Sequence, residues 1–267
     1  MQPDPARRLA GSRVRRRYAS VVQRIEEPPI TPELVRERAA VLTARLGDAA
    51  ERAGRDPSAV RIVAVTKGFG EPVVRAALQA GLRTLGESRI QETEAKVEAH
   101  PDAEWHLVGH LQSNKARRAL ALFRTIHSVD SLELLARLDR LAHDDARRPA
   151  LLLQLNLSGE ERKAGFDPGW FAEQTAQPRE LAGTLRDLRA VRVHGLMTMA
   201  RAGADEAEQH ATFALLRELR DRLAQASGLD LPELSMGMTA DAEAAIAEGA
   251  TLVRIGTALF GPRPDSH

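Results

Sequence analysis

From Thr31 to Gly261 the chain alternates short apolar runs with amphipathic stretches, and no other feature restricts its fold as strongly. The spacing predicts strands over 60–66, 82–87, 105–109, 124–129, 150–157, 191–198, 233–237 and 252–256. The stretches between them carry helical periodicity. Leu134, Leu138 and Leu141 share one face of a helix over 131–146, and Phe213, Leu216, Leu219 and Leu223 do the same over 205–226. Thr31 offers an N-cap and Pro32 a first helical residue for a helix running to about Gly54. Near-continuous apolar strands separated by helices call for a parallel sheet buried on both faces. Eight such units fit a single α/β domain of the (β/α)8 TIM-barrel type, with a doubly wound open sheet as the alternative.

Composition narrows the function. Net charge is +1, so bulk electrostatics favour neither nucleic acid nor an anionic membrane surface. There is no cysteine, which excludes disulfides, thiolate catalysis and cysteine-ligated metals. No apolar run reaches the roughly 20 residues of a membrane-spanning helix, and aromatics at 3% are too scarce for a base-stacking platform. These features place the protein in the cytoplasm. Residues 1–30 differ from the rest: seven arginines, including Arg15-Arg16-Arg17, face only Asp4, Glu26 and Glu27. This basic extension is expected to be a disordered, solvated tail, with residues 31–267 forming the barrel. A nucleic-acid arm or a transit peptide are the other readings of such a run.

Among 38 basic residues only four are lysine (Lys67, Lys96, Lys115 and Lys163), and Lys67 closes the first predicted strand. A strand-end lysine often does no more than reach solvent. A partly desolvated lysine, unlike arginine, can lose its proton and attack a carbonyl. In a barrel, function gathers at the C-terminal strand ends, and a phosphate often sits after strands 7 and 8. Those positions read Ser235-Met236-Gly237-Met238-Thr239 and Arg254-Ile255-Gly256-Thr257-Ala258. Their glycines permit close backbone approach, and their hydroxyls add donors. No Walker loop or dinucleotide fingerprint is present. A lysine facing a phosphate site suits a phosphorylated aldehyde, of which pyridoxal 5′-phosphate is the leading candidate.

From about residue 34 to Gly261 the motifs resemble, in order, those of the pyridoxal phosphate homeostasis protein family (the proline-synthase co-transcribed family). They are Ala64-Val65-Thr66-Lys67, Gly86-Glu87-Ser88-Arg89-Ile90-Gln91-Glu92 and the run from Trp105 to Lys115. Gly195-Leu196-Met197-Thr198-Met199, the run from Ser235 to Asp241 and that from Arg254 to Gly261 complete the set. The resemblance implies a barrel of the alanine racemase N-terminal type. It also implies that Lys67 carries the cofactor as an internal aldimine, that Ser235, Gly256 and Thr257 hold its phosphate beside Gly237, and that Arg254 faces the pyridine nitrogen. Ser88, His110 and Thr239-Ala240 depart from the family's usual asparagine, proline and Ser-Asp.

Other residues have plainer readings. His106 and His110 are four apart but straddle a strand and a loop, so no metal site is expected. His127 and His194 read as satisfied core histidines. Gln112-Ser113-Asn114-Lys115 opens a helix, either as a cap and solvated turn or as part of a pocket wall. Lys163 reads as solvated within a charged loop, and Glu243 and Glu248 as outward-facing.

Three functions compete. A carrier would store, buffer or deliver the cofactor, with pyridoxal phosphate-dependent apoenzymes as its partners, and would act as a monomer. An amino-acid racemase would need a second domain and a tyrosine opposite the lysine, and the one tyrosine is Tyr18 in the tail. A barrel aldolase would need a placed acid–base residue. A guanidinium beside the pyridine nitrogen also disfavours its protonation and so weakens carbanion chemistry. A non-enzymatic carrier is therefore the leading expectation.

Overall fold

Thr31 caps the first helix as its sequence predicts. Its hydroxyl accepts from the Leu34 amide, and Pro32 opens α1 (Pro32–Arg52), where a missing N–H is tolerated. Val35, Ala39, Leu42 and Leu46, spaced four, three and four apart, form the buried stripe of this helix. The computed structural model of the chain describes residues 29–144, 149–160, 163–176 and 180–263. The basic extension with Tyr18 lies outside the described residues, apart from Pro29 and Ile30.

The strands are β1 (Arg61–Val65), β2 (Thr84–Glu87), β3 (Glu104–Leu107), β4 (Thr125–Val129), β5 (Ala150–Gln154), β6 (Arg192–Met197), β7 (Glu233–Ser235) and β8 (Leu252–Ile255). They pair in chain order, all parallel, and β8 returns to β1 with Arg254 opposite Val63. The sheet is thus a closed barrel and not a doubly wound open sheet. Each strand lies inside its predicted window except β3, which begins one residue earlier. Alternate side chains explain the continuous apolar runs. Ala64, Leu85, Trp105, Ile126 and Val253 pack outward in the main core, while Val63, Leu152, Met197 and Leu252 form a second cluster.

The remaining helices are α2 (Glu71–Gln79), α3 (Ile90–Ala99), α4 (Ala116–Leu122), α5 (Leu132–Asp144), α6 (Pro168–Ala176), α7 (Glu180–Asp187), α8 (Glu206–Ser227), α9 (Ala242–Ala247) and α10 (Thr257–Phe260). α1 packs against α2, α9 and α10, closing the outer ring where the last helix has only four residues. Asp205 and Glu208 form a capping box on α8, and Gly228 ends that helix in the left-handed conformation at φ 71°. Gln112 precedes a 3-10 turn (Ser113–Lys115) without a side-chain cap, so the predicted opening of α4 takes a tighter form. At Gly195 a Cβ would sit 1.8 Å from the Glu233 carbonyl oxygen, so the approach of β6 to β7 requires glycine. Among the described residues no helix is long and apolar enough to cross a membrane.

Candidate functional site at the C-terminal mouth of the barrel

Lys67 follows the last residue of β1 by two positions, so it keeps the parity of Val63 and Val65 and stands at the mouth of the barrel. There it borders a cavity of about 350 Å³, together with Arg254, Gly256 and Thr257 from β8 and its loop. Val108, Met199 and the segment Met238–Ala240 supply further wall. A second, wider cleft of about 980 Å³ shares Lys67, Phe69 and Arg263 with it and runs past Ser88, Arg89 and Lys96.

The charges are arranged to keep an amine reactive. Lys67 retains solvent access, yet the surrounding protein partly desolvates it and pushes its pKa down from the ordinary lysine value. Arg263 and Arg254 push the same way, while Glu87 opposes them. Three cationic side chains therefore border one small cavity, an arrangement complementary to a phosphate dianion. Gly256 brings β8 close to β1, since a Cβ there would lie 3.3 Å from the Val65 carbonyl oxygen. Thr257 then begins α10, whose Leu259 and Phe260 amides both donate to the Gly256 carbonyl at 3.0 Å.

Arg254 is buried and held from two sides. Its Nη1 donates to Ser235 Oγ at 2.7 Å and its Nη2 to the Thr198 carbonyl at 2.9 Å. Burial lowers its pKa to about 10, with Asp241 opposing, so it stays charged at neutral pH.

The structure brings Lys67, Arg254, Gly256 and Thr257 to one cavity, but it does not bring Ser235 or Gly237 to the wall. The Ser235 hydroxyl is fully buried between Arg254 and His127 Nδ1, the latter at 2.8 Å. Gly237, at φ 88°, packs against α9, where a Cβ would meet Ala245 Cβ at 2.6 Å. Thr239, which the sequence marked only as a departure from the family pattern, is in the wall. Ser88 borders the wider cleft.

Behind Lys67 lies a buried ionic network that sequence reasoning missed. Lys96 Nζ meets Glu87 Oε1 at 2.5 Å and the Thr66 carbonyl at 3.1 Å, and the Thr66 hydroxyl donates to Glu87 Oε1 at 2.7 Å. Thr66 and Glu87 belong to two of the motifs, but Lys96 lies outside all of them, so no motif pointed to the pairing.

The competing readings resolve individually. His106 Nδ1 faces His127 Nε2 at 2.9 Å, whereas His110 Nδ1 pairs with Asp130 at 3.1 Å, so the two histidines do not share a site. His127 is a fully satisfied core histidine, but His194 is only half-buried. Lys163 is tied down more than its charged loop implied: it pairs with Glu160 and donates to the Ala200 carbonyl at 3.4 Å. Glu243 is exposed, as expected, and pairs with Arg45 and Arg52, whereas Glu248 is half-buried against Arg217 and His210.

Comparison with known proteins places this geometry in a family. Residues 40–264 match the family model described as alanine racemase, N-terminal domain. A Synechocystis sp. pyridoxal phosphate homeostasis protein is 42% identical over 78% of this chain and 93% of its own length. A Pseudomonas aeruginosa protein of the same name is 43% identical over 86% of this chain and 96% of its own. The structure of PipY from Synechococcus elongatus PCC7942 with PLP bound aligns with a TM-score of 0.71 at 42% identity, covering 85% of this chain and 100% of that one. The chain belongs to the pyridoxal phosphate homeostasis protein family, built on the alanine racemase N-terminal barrel.

Proposed function

We propose that this chain binds pyridoxal 5′-phosphate at the barrel mouth through a Schiff base on Lys67, and that it stores, buffers or delivers the cofactor in the cytoplasm without turning over amino acids. The observation that carries this reading is a single cavity bordered by a lysine of lowered pKa, a buried arginine and the Gly256-Thr257 loop. The family relation and the PLP-bound PipY structure support the choice of cofactor.

Bound there, the cofactor would offer an aldehyde to Lys67, whose free amine would bind it covalently, its two N–H protons leaving with the carbonyl oxygen as water. Gly256 and Thr257 would meet the phosphate, and Arg254 the pyridine nitrogen. Ser235 and Gly237 would act one layer below, Ser235 by holding Arg254 and Gly237 by seating the strand 7 loop. A buried guanidinium offers no acceptor to a protonated ring nitrogen, so the site favours holding the cofactor over using it as an electron sink. The partners in this reading are apoenzymes that receive the cofactor, and the carrier works as a monomer.

Incubated with each L-amino acid, the loaded protein should give no racemisation, transamination or decarboxylation above free cofactor, and it should pass cofactor to an apoenzyme. Turnover that disappears in Lys67→Ala would establish a racemase-like enzyme instead.

The phosphate assignment makes a separate prediction. Thr257→Val removes a hydroxyl donor to a dianion, a loss of roughly 1.5–3 kcal/mol, or about ten- to a hundredfold in affinity. Binding of pyridoxal 5′-phosphate should fall by that factor while binding of unphosphorylated pyridoxal is little changed. Equal losses for both ligands would remove Thr257 from the phosphate site.

A further inference from the structure

The barrel interior contains a polar chain that the cofactor reading does not require. It begins at Glu104, the first residue of β3, at the end of the barrel opposite the cavity. Glu104 Oε1 lies 3.1 Å from His106 Nε2, and His106 Nδ1 lies 2.9 Å from His127 Nε2. His127 Nδ1 lies 2.8 Å from Ser235 Oγ, which accepts from Arg254 Nη1 at 2.7 Å. His106, His127, Ser235 and Arg254 are all buried; the barrel interior also holds the apolar cluster of Val63, Leu152, Met197 and Leu252, and Arg61 and Arg124 bear on the Glu104 end.

The two ends differ in what they fix. A guanidinium can only donate, so Ser235 Oγ accepts from it and keeps its own hydrogen and a second lone pair; the carboxylate end therefore sets the direction. With one proton on each ring, a His106 that donates from Nε2 to Glu104 accepts at Nδ1 from His127 Nε2–H, which leaves His127 Nδ1 to accept from the Ser235 hydroxyl. His106 carries its proton on Nε2 and donates to Glu104, where an ionised carboxylate can only accept. This arrangement leaves one proton on each ring. Burial holds the His127 pKa well below the usual histidine value, and the His106 hydrogen bond holds Glu104 below the usual carboxylate value. Reversing the chain would turn a bare ring nitrogen toward the carboxylate.

We propose that Glu104, His106, His127 and Ser235 form a one-way hydrogen-bonded relay through the barrel axis, positioning Arg254 at the ligand cavity from the opposite rim. The consequence for the ligand rests on the reading above, in which Arg254 borders the bound cofactor; the relay itself does not. These four are positioning residues that act through Arg254.

The test begins on the apoprotein. Nitrogen-15 NMR should show His106 and His127 neutral and protonated on Nε2. Glu104→Leu, a change at a half-exposed rim position, removes the terminal acceptor and should shift both rings toward the Nδ1–H form or a mixture. Glu104→Gln keeps a carbonyl acceptor and should restore the Nε2–H form. In titrations with pyridoxal 5′-phosphate, Glu104→Leu should bind roughly three- to tenfold more weakly, the range of one hydrogen bond, with Glu104→Gln near wild type. A wild-type His127 protonated on Nδ1, or tautomers indifferent to Glu104→Leu, would overturn the relay. Correct tautomers with an unchanged affinity would overturn its role in placing Arg254. A wild-type protein that binds no pyridoxal 5′-phosphate would sink the cofactor reading, while the tautomers would still decide the relay.

Discussion

Lys67→Ala is expected to abolish the visible absorbance that pyridoxal 5′-phosphate acquires on binding, completely and not by degrees. Two of the other described lysines are poorly suited to replace it. Lys96 is buried against Glu87, and Lys163 is engaged by Glu160 and the Ala200 carbonyl. Lys67, by contrast, combines solvent access with a pKa pushed down by desolvation and by Arg263 and Arg254. The sign matters: a lowered pKa leaves more free amine at neutral pH, which speeds attack on an aldehyde. The fold should survive, because the side chain stands at the mouth and fills no core. Absorption titration checks the first point and a melting curve the second. A variant that keeps the same band would move the attachment to another residue.

Lys96→Met is expected to cost the most stability. It removes the cation from Glu87, which is 0% exposed and whose second carboxylate oxygen has no hydrogen-bond partner among the described residues. Leaving one member of a buried ion pair unmatched costs about 3–5 kcal/mol, which for a domain of this size lowers Tm by roughly 10 °C. Replacing both partners, Lys96→Met with Glu87→Leu, should recover most of that loss, because an apolar pair of similar volume is often neutral or better. The network also holds Thr66, next to Lys67, so the single variant should weaken cofactor binding as well. Equal melting temperatures for single and double variants would show that the charges are not coupled.

Much of the fold was legible because burial on both faces makes a barrel strand apolar throughout, and the outer helices carry their own periodicity. Val60–Thr66 and Leu252–Gly256 read as strands for that reason. Closure was not legible, since Val63 opposite Arg254 is a pairing of residues nearly the whole domain apart. At the site, Lys67, Arg254, Gly256 and Thr257 were singled out from their places at strand ends, and all four border one cavity. Ser235 was read beside them, and its hydroxyl lies buried between Arg254 and His127. A residue's height in a barrel depends on strand register, and Ser235 pairs with Leu252, two residues below Arg254. The Glu104–His106–His127 chain was hidden for the same reason: its members sit on β3 and β4, and only the pairing of these strands stacks them. His127 therefore looked like any satisfied core histidine.

Borohydride reduction of the loaded wild-type protein, followed by mass-spectrometric peptide mapping, tests the central claim most directly. Reduction converts a Schiff base into a stable secondary amine and marks the lysine that carried it. The account predicts one reduced pyridoxyl phosphate adduct, on the peptide containing Lys67, with loss of the visible band in proportion. An adduct confined to Lys96, Lys115 or Lys163, or a band that bleaches without any adduct, would contradict it.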